Sequence, residues 1–182
     1  MKTLCTLLFA LVCSTAPAQP GPYPGYFQLP VNAETRRVEY TAVVPVNNIP
    51  EEELFLRAQE WLTQLASTHT VTQQVNNPGA GTLITHVKLG NWFDAKSFRL
   101  AIHIKDGHYK YLIDQITHTQ SDYARAGKYS VGTVTTPIEA YSLRRQRKGL
   151  IKTIGKIDGL ILTTIDGLNA AMKRPEEASN LI

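Results

Sequence analysis

The sequence predicts an α+β domain, an antiparallel curved sheet of about five strands with two helices on one face, in the chain order β-α-β-β-β-β-α. Three observations carry this reading. Residues 38–46 alternate apolar and polar side chains, the period of a half-buried strand. The next stretch switches to helical spacing over residues 54–65. Asp106-Gly107 then joins two alternating runs as a two-residue turn, the strongest short-range signal for a hairpin.

In the first strand Val38, Tyr40, Ala42, Val44 and Val46 share one face, opposite Glu39, Thr41, Val43 and Pro45. In "NIPEEELFLRAQEWLTQL", residues 48–65, a single apolar stripe is formed by Leu54, Phe55, Ala58, Trp61, Leu62 and Leu65. Asn48 and Glu51 have the spacing of a capping box, Pro50 suits a first turn, and the acids Glu51 to Glu53 complement the positive helix end. "THTVTQQVN" (68–76) is a polar, β-branched strand, "NNPGAG" (76–81) a turn, and "TLITHVKL" (82–89) a further strand.

The hairpin in "FRLAIHIKDGHYKYLIDQI" (98–116) fixes a register. Ile104 opposes Tyr109, Ile102 opposes Tyr111 and Leu100 opposes Ile113 on an apolar face, while Lys105, His103 and Arg99 oppose His108, Lys110 and Asp114 on a wet, basic one. A slip of one residue would exchange the two faces, so the pattern specifies its own pairing.

Residues 119–135 have an irregular composition, compatible with a functional loop or with a short edge strand near "YSVGTV". Thr136-Pro137-Ile138-Glu139 has capping-box spacing and predicts a second helix running to Lys173, with Gly149, Gly155, Gly159 and Gly167 as points where it would break. Leu150, Ile151, Ile154, Ile157, Ile161, Ile165, Leu168 and Met172 gather on one side of that helix, and Arg145, Lys148, Lys152 and Lys156 lie opposite.

At the other end, residues 1–18 combine a lysine, an apolar run from Leu4 to Val12 and the small-residue site Ala16-Pro17-Ala18, the pattern of a secretory signal. The expected protein is exported, periplasmic or secreted. Its organisation would be a signal peptide over 1–18, an extended Pro/Tyr-rich lead-in over 19–30, one domain over 31–173 and a tail over 174–182. Both cysteines, Cys5 and Cys13, fall inside the leader, so the mature chain would have neither a disulfide nor a thiol nucleophile. The net charge of +4, or +3 without Lys2, is too mild to demand a polyanionic partner.

The order strand, helix, four strands, long helix is similar to one half of a TATA-binding-protein-like domain. More specifically, "RRVEYTAVVPVNNIPEEELFLRAQEWL", "GTLITHVKL" and "FRLAIHIKDGHYKYLI" resemble a family of exported bacterial domains of unknown function with that fold, over about residues 31–118. The resemblance rests on Tyr40, on Leu54, Phe55 and Trp61 of the helix, and on the "KDGHYKY" hairpin. It implies a sheet covered by both helices on one face, and no catalytic residues carry over from it.

No chemical motif displaces that reading. There is no G-x-S-x-G, the acids are explained by the helix dipole and the turn, and "NPGAG" lacks the lysine and following helix of a phosphate loop. His103 and His108 share the wet face, where His86 would join them only in a favourable register; no metal or other cofactor is implied. Nucleic acid is not expected as a partner, because fold alone does not license that function and export removes its usual context.

The leading expectation is a non-catalytic exported binding domain with Lys88, Arg99, His103, Lys105 and Lys110 on its interaction face. Its partner would be an envelope or extracellular component, and a second copy of the chain is the homo-oligomeric version of the same idea. Two alternatives stand beside it. One is peripheral association with an anionic membrane through the helix bearing Arg145, Lys148, Lys152 and Lys156; the other is an enzyme whose site no motif announces.

Overall fold

The computed structural model describes residues 28–127, 130–142 and 147–174. The expected leader, most of the lead-in, Arg145 and nearly all of the expected tail lie outside the described residues. The strands are β1 (Tyr40–Pro45), β2 (Thr70–Asn77), β3 (Thr82–Asn91), β4 (Asp94–Lys105), β5 (His108–Gly127) and β6 (Ser130–Pro137). The helices are α1 (Glu51–Thr68), the short α2 (Glu139–Ser142) and α3 (Lys148–Met172).

Every pairing is antiparallel, in the order β1-β5-β4-β3-β2, with β6 also on β5. Residues 108–113 of β5 pair with β1, and residues from 117 onward pair with β6. β4 holds the opposite edge along both stretches, so β1 and β6 take successive lengths of one edge. The sheet has five strands along its path and a sixth, β6, on the outer part of β5. Residues 119–127 continue β5 and residues 130–135 belong to β6, the edge strand that the sequence offered beside a functional loop; their Thr- and Ser-rich sequence reads as irregular because no apolar alternation marks it.

The Asp106-Gly107 register is as the sequence predicts: Leu100, Ile102 and Ile104 pair with Ile113, Tyr111 and Tyr109, and Arg99 pairs with Asp114. Gly107 adopts φ +72°, the left-handed conformation such a turn requires. The inward face of the sheet, with Leu83, Val87, Phe98, Leu100, Ile102, Ile104, Tyr109 and Ile113, is buried with Leu54, Phe55, Ala58 and Trp61 of α1 and with Ile154, Ile157, Ile161 and Leu168 of α3. Burying a side chain of this size contributes roughly 1.5–3 kcal/mol, so the apolar alternation and the two helical stripes together specify the fold.

One irregularity redirects the inward pattern. Gln115 takes φ +53°, and the β4–β5 register shifts between Ser97 and Arg99, a bulge that gives β5 one extra residue. Up to that point Tyr109, Tyr111 and Ile113 face inward; beyond it Ile116 and His118 do.

The helix starts differ from their sequence signals. Pro50 is the N-cap of α1 and no side chain of its own segment caps it; Asn48 sits at φ +63° outside the helix, and Asp106 of the β4–β5 turn accepts the Glu51 N–H instead. Thr136 and Pro137 belong to β6, so the second predicted capping box does not form. Glu139 instead accepts from the Val38 N–H. The long helix begins only after Arg147, and the glycines expected to interrupt it lie inside an unbroken α3. The domain also reaches slightly before residue 31, since Leu29 packs on the core and the Pro30 carbonyl accepts from the Glu39 N–H.

Candidate functional site

Because both long helices pack on the inward face, the other face of the sheet carries short, hydrated rows. The strand registers align Val75, Ile84, Ala101, Leu112 and Thr41 in one row. Ile84 and Leu112 are partly exposed, and Ala101 is buried between them by its taller neighbours. On one side runs Thr72, His86, Arg99 and Asp114; on the other run Asn77, Thr82, His103, Lys110 and Val43. Val43, in the row of His103 and Lys110, is 61% exposed at the β1 edge.

The structure brings the predicted residues Arg99, His103, Lys105 and Lys110 to this face together. His103 and Lys110 are direct partners across β4 and β5, as are Lys105 and His108, and His103 Nδ1 lies 3.3 Å from the Thr82 hydroxyl. Arg99 is committed to a two-pronged pair with Asp114, its Nε donating to Oδ1 at 2.7 Å and its terminal nitrogen to Oδ2. That hydrogen bond is the largest influence raising the arginine's pKa. Lys88 lies on the same face but at its far end, 5.6 Å from the ring centre of Trp92. His86 opposes Arg99 rather than standing beside His103, so the register does not assemble the three histidines.

A model of the family described as domain of unknown function (DUF4468) with TBP-like fold matches residues 40–119. The match covers less than half of the chain, from the first strand into the fifth. A TBP-like protein from Parabacteroides distasonis shares the fold with a TM-score of 0.50 at 16% identity, over 73% of this chain and 93% of that one. A DUF4468 family protein from Bacteroides ovatus does so with a TM-score of 0.52 at 11% identity, over 76% and 90%. No curated protein matches the chain. These likenesses establish the fold and assign no activity.

The structure also holds a polar cluster that sequence reasoning missed. His118, turned inward by the bulge at Gln115, is 4% exposed. Its Nδ1 lies 2.9 Å from the Tyr141 hydroxyl and its Nε2 2.8 Å from Asp94 Oδ1, which also receives Lys96 Nζ at 2.6 Å. The satisfied arrangement has the tyrosine donating to Nδ1 and the Nε2–H donating to the carboxylate. The hydrogen bond from Lys96, followed by that from His118, holds the Asp94 carboxyl below the usual carboxylate range. The cluster borders an open hollow of about 480 Å³ lined by Phe93, Gln120, Ser121, Thr153 and Lys156. The only sequence signal for it was the pair of spacings on either side of Gln115, 109-111-113 and then 116-118, which reveals a change of face only if a bulge is assumed.

Lys148, Lys152 and Lys156 are exposed on α3, as its helical spacing predicts. Ile154, Ile157, Ile161, Ile165, Leu168 and Met172 of the same helix are buried in the core, whereas Leu160 and Leu162 are exposed. Among the described residues no helix is long and apolar enough to cross one.

Proposed function

We propose that the chain is an exported, non-catalytic binding domain whose open sheet face takes a protein partner in the cell envelope or outside the cell. The observation that carries this reading is the cross-sheet row of Val75, Ile84, Ala101 and Leu112, flanked by a row that holds His103, Lys110 and exposed Val43, with Lys105 beyond it. Apolar contact area inside a polar, charged border is the composition of a reversible protein interface. Export is supported by the signal-like residues 1–18.

The non-catalytic reading is supported by how the titratable groups are spent. A general base needs a nitrogen free to reach substrate, whereas both nitrogens of His118 are held by Tyr141 and Asp94. Arg99 and Asp114 likewise satisfy each other.

Photo-crosslinking residues placed at Val43 and Leu112, with a control at exposed Gln64 on α1, test the proposal in the native host. Discrete adducts from the sheet positions, lost when Lys105 and Lys110 are changed to Glu, are expected; this pair leaves the Arg99–Asp114 bond intact. Adducts to a second copy of the chain would identify the partner as a homodimer through this face. Equal adducts from Gln64, or adducts indifferent to the charge reversal, would reject it.

A further inference from the structure

We propose that the hairpin tip between β3 and β4, residues 90–94, docks on an anionic lipid surface, with Trp92 and Phe93 entering the headgroup region and neighbouring lysines meeting lipid charge. Trp92 is 68% exposed and Phe93 54%, two large apolar side chains at adjacent positions of the tip. Isolated exposed hydrophobics need no explanation, but a pair on a rigid projection does.

The tip is built to hold them there. Asn91 Oδ1 accepts from the Phe93 N–H at 3.0 Å and from the Asp94 N–H at 2.9 Å, closing a local turn. The Phe93 carbonyl accepts from the Ser121 N–H at 3.1 Å, which ties the tip to β5. Gly90 has φ +101°, and a Cβ there would stand 2.2 Å from the Asp94 carbonyl oxygen, so only glycine permits this close turn. Nothing in these bonds withdraws either ring toward the core.

Charge selects the occupant. Lys88 stacks near the Trp92 ring, and Lys156 lines the same hollow as Phe93. Lys152 and Lys148 precede Lys156 at successive helical turns on the exposed side of α3. Asp94, the acid at the tip, is already engaged by Lys96 and His118. Two exposed aromatic rings, one beside Lys88 and the other sharing a hollow with Lys156, match the interface of an anionic bilayer, where aromatic side chains settle at headgroup depth and each lysine near the surface adds attraction. The lysines of α3 thus form a collar, while insertion belongs to the tip.

The experiment uses the full chain with vesicles of phosphatidylglycerol and phosphatidylcholine, the latter brominated in its acyl chains. The chain has two tryptophans, and Trp61 is buried in the core, so lipid quenching of fluorescence reports Trp92. A blue shift and quenching that weaken with salt are expected, with much less of either on purely phosphatidylcholine vesicles. Phe93→Ala should lower quenching and partition at least about threefold, and the triple change of Lys148, Lys152 and Lys156 to Glu at least about tenfold, as expected for surface binding built from buried apolar area plus lysine attraction. Circular dichroism on the same samples verifies that these exposed-site variants remain folded. Absence of quenching at low salt, or quenching equal on neutral and anionic vesicles, would overturn the proposal. A tip that instead binds a glycan or a protein would give the first of these results.

Discussion

The carboxylate of Asp106 in the β4–β5 turn accepts a hydrogen bond from the backbone N–H of Glu51 at 2.9 Å, so the hairpin caps the first helix across 55 residues of sequence. The turn thereby orients α1 over the sheet as well as setting the strand register. Asp106→Ala should destabilise the domain by about 1 kcal/mol, the usual value of a lost N-cap, while Asp106→Asn, which keeps an acceptor and the turn preference, should stay within a few tenths. Urea unfolding of the two variants checks the difference, and equal losses would mean that the cap contributes nothing.

Arg99 and Asp114 are unequal partners. Asp114 keeps only 9% of its side chain in contact with solvent, against 30% for Arg99. Removing the arginine strands a nearly buried carboxylate, whereas removing the aspartate leaves a guanidinium that can still reach water. Arg99→Ala should therefore cost about 2 kcal/mol and Asp114→Ala about 1 kcal/mol, on the scale of a part-buried ion pair losing one member. A double-mutant cycle on purified variants reads both values and their coupling.

Thr85 buries its hydroxyl, which has no hydrogen-bond partner among the described residues, beside a hollow lined by Leu62, Thr63, Val71 and Gln73. Replacing an orphaned hydroxyl by a methyl removes an unmet desolvation requirement at almost constant volume. Thr85→Val should be neutral or stabilising by up to about 1 kcal/mol, with the thermal midpoint unchanged or raised. A clear fall in that midpoint would show that the hydroxyl has a partner in solution.

Three tyrosines set the alkaline limit. Burial raises the pKa of Tyr40, Tyr109 and Tyr111, and in Tyr40 a hydrogen bond to Asp158 adds to the effect. A folded-state pKa above the ordinary value of 10.0 means that the stabilising difference is complete below about pH 10. It is lost as pH rises, because the unfolded chain ionises first. Phenolate absorbance and circular dichroism should then change together in a cooperative step above that pH, with these tyrosines titrating only on unfolding. Smooth, independent titration of every tyrosine in a still-folded chain would contradict the assignment.

The parts of this architecture that were legible in the sequence are those governed by a repeating apolar period. Leu100, Ile102 and Ile104 against Ile113, Tyr111 and Tyr109 could be paired in advance because a one-residue slip would have exposed all six. The α1 and α3 stripes were legible for the same reason. What escaped depended on contacts between distant segments. Asp106 capping Glu51 replaces the local Asn48 cap, and Glu139 serves the Val38 backbone rather than its own helix. The continuation of β5 past Ile116 rests on backbone pairing by a Thr- and Ser-rich segment with little apolar alternation, and β6 is the edge strand near "YSVGTV" that the sequence left open beside a loop. The His118 cluster was hidden by one bulge residue, Gln115, whose left-handed conformation reverses the inside and outside of all that follows it.

The central claim is that neighbouring residues of β4 divide between a dry interior and an open, hydrated face. With Cys5 and Cys13 changed to Ser, single-cysteine variants His103→Cys and Ile102→Cys can be compared for their rate of reaction with a thiol reagent under native conditions. The account predicts that the thiol at 103 reacts at nearly the rate of the unfolded chain, and that the thiol at 102 is slower by at least about a hundredfold, since it reacts only on opening of the core. Comparable rates at the two positions, or protection at 103 with ready reaction at 102, would contradict it.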